Sequence, residues 1–229
     1  SPYRGRWREM VSRSALILKL LVSRRTGSMV AAPTFGLPEE IGGPRNWDYR
    51  FCWIRDSAFT IYALIRLGFV REAEAYTHWI TERAEAGEAT GALRLMYRLD
   101  GSEELEERTL DHLEGYRGSR PVRIGNAAAG QLQLDMYGEF IDAIYLTNKY
   151  ATKVSFDTWR AIRRSVEYVA ANWDQPDEGI WEFRGGRRDF LHSRLMCWVA
   201  LDRAIRIAEM EGFPAPVTAW RRTRDTIYE

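Results

Sequence analysis

Cysteine and histidine, the residues that staple small secreted domains or hold metals, are scarce in this 229-residue chain. It has two cysteines, Cys52 and Cys197, and three scattered histidines, His78, His112 and His192. Two thiols cannot build a disulfide framework. No Cys or His spacing suggests a zinc site, so neither a metal nor a cofactor is expected. Apolar runs stay far short of the ~18 residues that a membrane span requires. A charge excess is also missing: 33 Lys plus Arg face 32 Asp plus Glu, for a net charge of +1. That balance argues against nucleic acid or an anionic membrane as a partner. With 18 Gly and 8 Pro the chain is neither collagenous nor of low complexity. It carries no Gly-rich phosphate loop, no Ser/His/Asp order and no Asp-rich cyclase motif. No signal-peptide pattern follows Ser1 and Pro2, which with the two thiols gives a cytoplasmic expectation. Ser1 is not a natural start, and Thr226 to Glu229 lie inside a helix-like segment. A piece of a longer protein is therefore expected.

Aromatic residues, by contrast, are plentiful: nine Trp and eleven Tyr. Flat rings stack on the C–H faces of pyranoses, so sugar clefts use them. Trp also fills large helical cores, and for most of the nine that is the preferred reading.

Most of the chain reads as helix. Residues 7 to 22 put Trp7, Met10, Val11, Ser14, Ala15, Leu18 and Val22 on one face. Residues 56 to 67 are apolar nearly all round and should be buried, with Gly68 closing the helix. Residues 70 to 84 are one-sided. Residues 127 to 146 are mostly apolar, with Gln131, Asp135, Gly138 and Asp142 along one stripe. Residues 156 to 173 are one-sided. Residues 191 to 208 begin with a buried run from Leu195 to Leu201, and a last amphipathic segment starts near Pro216. Strands are expected at 28 to 32 and 92 to 99, and the methionines read as core. One-sided helices thus alternate with all-round apolar ones, as in two concentric layers of an α/α toroid. An ordinary helical bundle is the alternative.

Three long loops each end in a polar and aromatic cluster just before an inner helix, and long loops carry function more often than packing. They are Asn46 to Asp56, Tyr116 to Asn126 (running on to Gln131 and Gln133), and Pro176 to Arg188. Inner helices of a toroid run the same way, so all three clusters should line one mouth. In the first, Asp48, Arg55 and Asp56 sit among Trp47, Tyr49 and Trp53, a set able to bind vicinal hydroxyls. Asp56 is equally a candidate helix N-cap. In the third, Glu182 follows Trp181. A carboxyl beside an indole is a candidate for a raised pKa, as a general acid needs. A loop carboxylate paired with Arg184, Arg187 or Arg188 is the alternative. Gln131, Asp135 and Asp142 line either a polar cavity or a network between helices. The Arg120/Arg123 and Arg187/Arg188 pairs suggest an anion site only weakly against pairing with acidic neighbours.

Taken together, Ser28 to Thr34, Leu37 to Glu39, Gly43 to Asp56, Arg120 to Asn126, Gln131 to Glu139 and Gly179 to Glu182 resemble glycoside hydrolase family 15. This family groups prokaryotic glucoamylase-like enzymes and trehalases. The resemblance covers most of the chain and implies an all-α (α/α)6 toroid, of which residues 1 to 229 supply about the first half. The N-terminal β-sandwich and the C-terminal half of the toroid are expected outside the chain. It further implies hydrolysis of an α-glucosidic bond with inversion, using an acid and a base roughly 6.5–9.5 Å apart. By motif position Glu182 is the implied acid. Arg55 and Asp56 are implied to hold the glucose, with Trp53 and Trp181 as walls and Gln133 and Asn126 bordering the subsite. No segment matches the family's base, so the chain alone is expected to be inactive. Phe183 stands where fungal glucoamylases carry a second carboxylate, so their substrate preference does not transfer. The leading expectation is an enzyme releasing glucose from maltooligosaccharides or related glucans. Trehalose as substrate is the first alternative, and a non-catalytic carbohydrate-binding toroid the second.

Overall fold

The computed structural model describes residues 3–33, 37–86 and 91–229. Among them lie seven α-helices: α1 (Arg8–Leu21), α2 (Ile54–Arg66), α3 (Val70–Ala86), α4 (Asp135–Tyr150), α5 (Phe156–Asn172), α6 (Leu191–Glu211) and α7 (Val217–Tyr228). The inner layer is α2, α4 and α6, with α4 packed between the other two. Against it lie α3 on α2, α4 and α5, then α5 on α6, α7 on α6, and α1 on α2. This is the alternating two-layer order of an α/α toroid.

The core runs along the seam between the layers. Ile61 and Leu64 of α2, Tyr137, Phe140 and Ile144 of α4, and Ala200, Leu201 and Ala204 of α6 are all buried. Trp79, Trp159 and Trp220 fill the outer half of the seam, so the core reading holds for these tryptophans. Trp159 stacks on Phe213 and meets Trp220 edge-on. Each such side chain contributes roughly 1.5–3 kcal/mol over its exposed state. Gly138 lets α4 approach α6 closely, since a Cβ there would lie 2.3 Å from the Met196 carbonyl oxygen. Termini follow local chemistry. Ser155 caps α5 by accepting from the Thr158 N–H at 3.1 Å. Gly68, at φ +81°, follows α2, and Gly212, at φ +70°, ends α6.

Four expectations change. The inner helix expected from 127 begins at Asp135, because Ala127–Gly130 form a single 3-10 turn and an extended segment follows. Helix α2 is not buried all round: Phe59 and Tyr62 are half-exposed, as is Leu195 of α6. Met10 and Met210 are exposed rather than core, as is Trp7. Regular strand is shorter than the alternation predicts. β1 (Cys52–Trp53) pairs antiparallel with β2 (Met96–Tyr97), whereas the 28–32 segment makes one bridge, Met29 to Val22, and gives its Ala31 and Ala32 N–H groups to the Phe51 and Tyr49 carbonyls. A second small pair, β3 (Arg108–Thr109) with β4 (Arg123–Ile124), has no sequence signal. The end of the first motif, Thr34, lies outside the described residues.

Candidate active site

The loop ahead of each inner helix contributes to one cleft of about 730 Å³. Trp47, Trp53, Arg55 and Asp56 come from the first loop and the start of α2, Asn126 from the second loop, and Trp181 and Glu182 from the third. The expected convergence of the three loops at one mouth is therefore realised.

Glu182 is held by two side-chain donors. Its Oε1 accepts from Trp53 Nε1 at 2.8 Å and from Arg55 Nη2 at 3.3 Å. The arginines expected as its alternative partners are engaged elsewhere: Arg184 with Glu107, Arg187 with Glu178, and the Arg188 backbone with Asp177. Glu182 also has φ +55°, a left-handed conformation that costs a non-glycine residue about 1 kcal/mol. The loop that imposes it is tied down at both ends. Asp177, buried, accepts from Leu134 N at 2.9 Å and Gly179 N at 3.1 Å. Glu178 accepts from Leu132 N at 2.8 Å, and Phe183 stacks on Phe190. Asp177 and Glu178 are positioning residues that the sequence reading missed. Their signal was the Asp-x-Gly turn, where an Asp side chain bonds its own backbone two residues on.

A line of side chains supports Glu182 from behind. Gln133 Oε1 accepts from Arg55 Nη1 at 3.1 Å, and Gln133 Nε2 donates to Gln131 Oε1 at 3.0 Å. Gln131 Nε2 in turn donates to the Glu182 carbonyl at 3.3 Å. Arg55 is thus surrounded: Asp56 Oδ2 lies 3.8 Å from its Nε, and Asp135 Oδ2 lies 3.9 Å from its Nη1.

Asp56 is the third residue of α2 and makes no capping bond, so the N-cap alternative is not realised. Its side chain keeps 46% of its surface open to the cleft. Crowding by the cleft wall raises its pKa, against the pull of Arg55. Burial raises Tyr49 as well, helped by Glu39, Glu182 and Asp56. Deeper on α4, burial followed by the charges of Asp135 and Asp142 pushes Glu139 up to about 7.

Three expected residues sit differently. Asp48 is buried away from this cleft, with Arg50 on both its oxygens at 2.8 Å and Gly125 N at 3.2 Å, so it braces two loops. Asn126 borders the cleft, but its side-chain oxygen caps the following turn through Ala128 N. Trp181 lines the mouth with 81% of its surface exposed, so the indole bonded to Glu182 belongs to Trp53. Asp142 pairs with Arg203 of α6, the between-helix alternative. Arg123 is bound by Glu107 and a loop carbonyl, the pairing alternative to an anion site. No group of His, Cys, Asp and Glu able to hold a metal occurs among the described residues, and none of their helices is long and apolar enough to cross a membrane.

The two helix layers place the chain in the α/α-toroid class. The chain belongs to glycosyl hydrolases family 15, whose profile matches residues 5–229. It is 43% identical over 228 residues to a trehalase of Thermoplasma acidophilum, covering 100% of this chain and 39% of that protein. It is 43% identical over 222 residues to a trehalase of Mycobacterium tuberculosis, covering 96% of this chain and 33% of that protein. The chain therefore spans between a third and two-fifths of these relatives. A solved wild-type glycosidase superposes with a TM-score of 0.66 at 20% identity, covering 96% of this chain and 54% of that one.

Proposed function

We propose that this chain carries the acid half of an inverting trehalase active site. The carrying observation is the Trp53 and Arg55 clamp on Glu182, at the cleft where three separate loops meet. With Oε1 held by two donors, the transferable proton sits on Oε2. Glu182 gives that proton to the glycosidic oxygen as the C1–O bond breaks and its electron pair passes to that oxygen. A water then adds to C1 from the opposite face, losing its proton to a base. Arg55 and Asp56 hold the glucose hydroxyls, and Trp53 and Trp181 wall the subsite. We place the base outside these 229 residues. The chain is read as about the first half of the toroid, with a β-sandwich and the second half in the longer protein.

The sequence reading put maltooligosaccharides first. The relatives that match nearly the whole chain are named trehalases, which favours trehalose instead. The test is proton NMR of the full-length protein on trehalose and on maltotriose, read before mutarotation. Cleavage of trehalose to one α- and one β-glucose is expected. Cleavage of maltotriose alone, with β-glucose released, restores the first reading. Release of only α-glucose from maltotriose removes inversion. No hydrolysis of either favours a binding toroid.

A further inference from the structure

A buried carboxylate next to the site has no assigned work. Asp135, the first residue of α4, is 0% exposed, and neither of its oxygens has a hydrogen-bond partner among the described residues. A charge so placed normally costs several kcal/mol unless something offsets it. Its nearest ionisable neighbours are Arg55 Nη1 and His192 Nδ1, each 3.9 Å from Oδ2.

We propose that Asp135 is a positioning residue: it balances the charge of Arg55, so that Glu182 is free to carry the proton it donates. The proposal rests on reading Glu182 as the general acid. An arginine bonded to a carboxylate holds it ionised, and a general acid must be protonated to act. Glu182 therefore needs a second anion to share Arg55 with. Two are in place, Asp56 and Asp135. Asp56 is half-open to the cleft, where solvent and salt screen it. Asp135 is screened by neither, so its charge is felt most. When Glu182 is protonated, the Arg55–Asp135 pair remains neutral as a unit. When Glu182 has lost its proton, Arg55 swings its balance toward the carboxylate. Burial raises Asp135, while Arg55 and then His192 oppose that rise.

Other groups face these two. Around Glu182 they are Arg55 and Asp56 of α2, Tyr49 of the first loop and Arg184 of its own loop. Around Asp135 they are Arg55, Asp177 of the third loop, His192 and Cys197 of α6, and Glu139 one turn along α4. None of these other carboxylates is within 4.0 Å of Arg55 apart from Asp56 and Glu182.

The test is the isosteric variant Asp135→Asn in the full-length protein. Carbon-13 NMR of labelled glutamate carboxyls, assigned with Glu182→Gln, reads the Glu182 titration without requiring turnover. Its midpoint is expected to fall by on the order of half a pH unit or more. The alkaline limb of kcat on trehalose should move to lower pH with it, while the thermal midpoint holds or rises. An unmoved Glu182 midpoint overturns the proposal. So does a lowered thermal midpoint with both limbs of the profile in place, which is the mark of a purely structural carboxylate. Failure of the acid assignment reads differently: Glu182→Gln would then keep near-normal turnover.

Discussion

Glu182 draws its chemistry from neighbours remote in sequence, and its substitutions should be read accordingly. Glu182→Gln keeps the side chain's size and its acceptor oxygen. Turnover of the full-length protein should fall by about 10²-fold or more, with substrate affinity within a few-fold. Near-normal turnover would remove Glu182 from the acid role. Trp53→Phe keeps most of the buried ring but deletes the Nε1 donor. A loss of roughly tenfold in kcat is expected, larger than the shift in KM. An equal loss in a variant that retains the donor would point to packing instead. Glu139 carries a pH signature. Its pKa is raised from 4.5 to about 7 in the fold, so the fold favours the protonated form. That contribution is fully present below about 4.5 and is lost as pH rises through about 7. Denaturant titrations should show Glu139→Gln gaining stability over the unsubstituted protein at pH 8 but not at pH 4.5. The difference should be at most about 3 kcal/mol. The meeting of Glu182, Trp53 and Arg55 at one mouth was legible in the sequence through the order of the loops. Asp48 was misplaced because its neighbour Arg50 saturates it, a local pairing that no spacing rule separates from substrate binding. Glu139 carried no signal, because its pKa depends on the burial and charge that α4 brings together.

At the scale of elements, the alternation of one-sided and all-round apolar helices gave the two layers in their observed order. Where that reading erred, the cause is physical. Residues 127–134 are as apolar as a helix, yet Asn126 caps a 3-10 turn and Leu132 and Leu134 give their N–H groups to the third loop. Those bonds hold the Glu182 loop against α4 and delay the helix by about two turns. The approach of α4 to α6 supplies a separate prediction. Gly138→Ala must push the two backbones apart, because the obstacle is the Met196 carbonyl rather than a movable side chain. A loss of roughly 1–3 kcal/mol is expected, checked by urea unfolding. A neutral effect would mean that α6 can slide on α4.

Over the whole molecule, the exposed aromatics on the inner helices separate two explanations of hydrophobicity. Phe59 and Tyr62 look to the sequence like core positions, and so does Leu195, yet all three are half-exposed or more. Periodicity reports that a position is apolar. It does not report whether the partner surface lies within the same 229 residues. The Thermoplasma acidophilum relative is longer, and the chain covers 39% of it. The 229 residues alone are expected to self-associate above micromolar concentration, and Phe59→Ser with Tyr62→Ser should reduce it. Sedimentation velocity of both forms checks this, and identical profiles would count against it.

The Glu182 clamp also sets a timetable. Trp53 and Glu182 are 129 positions apart along the chain, and Arg55 and Glu182 are 127 apart. Contacts that close such long stretches form late, since the entropy of drawing the ends together precedes any reward. Helices can assemble from local contacts within microseconds to milliseconds while the acid still lacks its indole partner. On refolding, far-ultraviolet ellipticity should therefore recover ahead of the Trp53 emission signal, isolated by difference against Trp53→Phe. A nascent chain emerging from the ribosome reaches residue 53 long before residue 182. Until the third loop is synthesised, the indole of Trp53 gives its hydrogen to water rather than to Glu182.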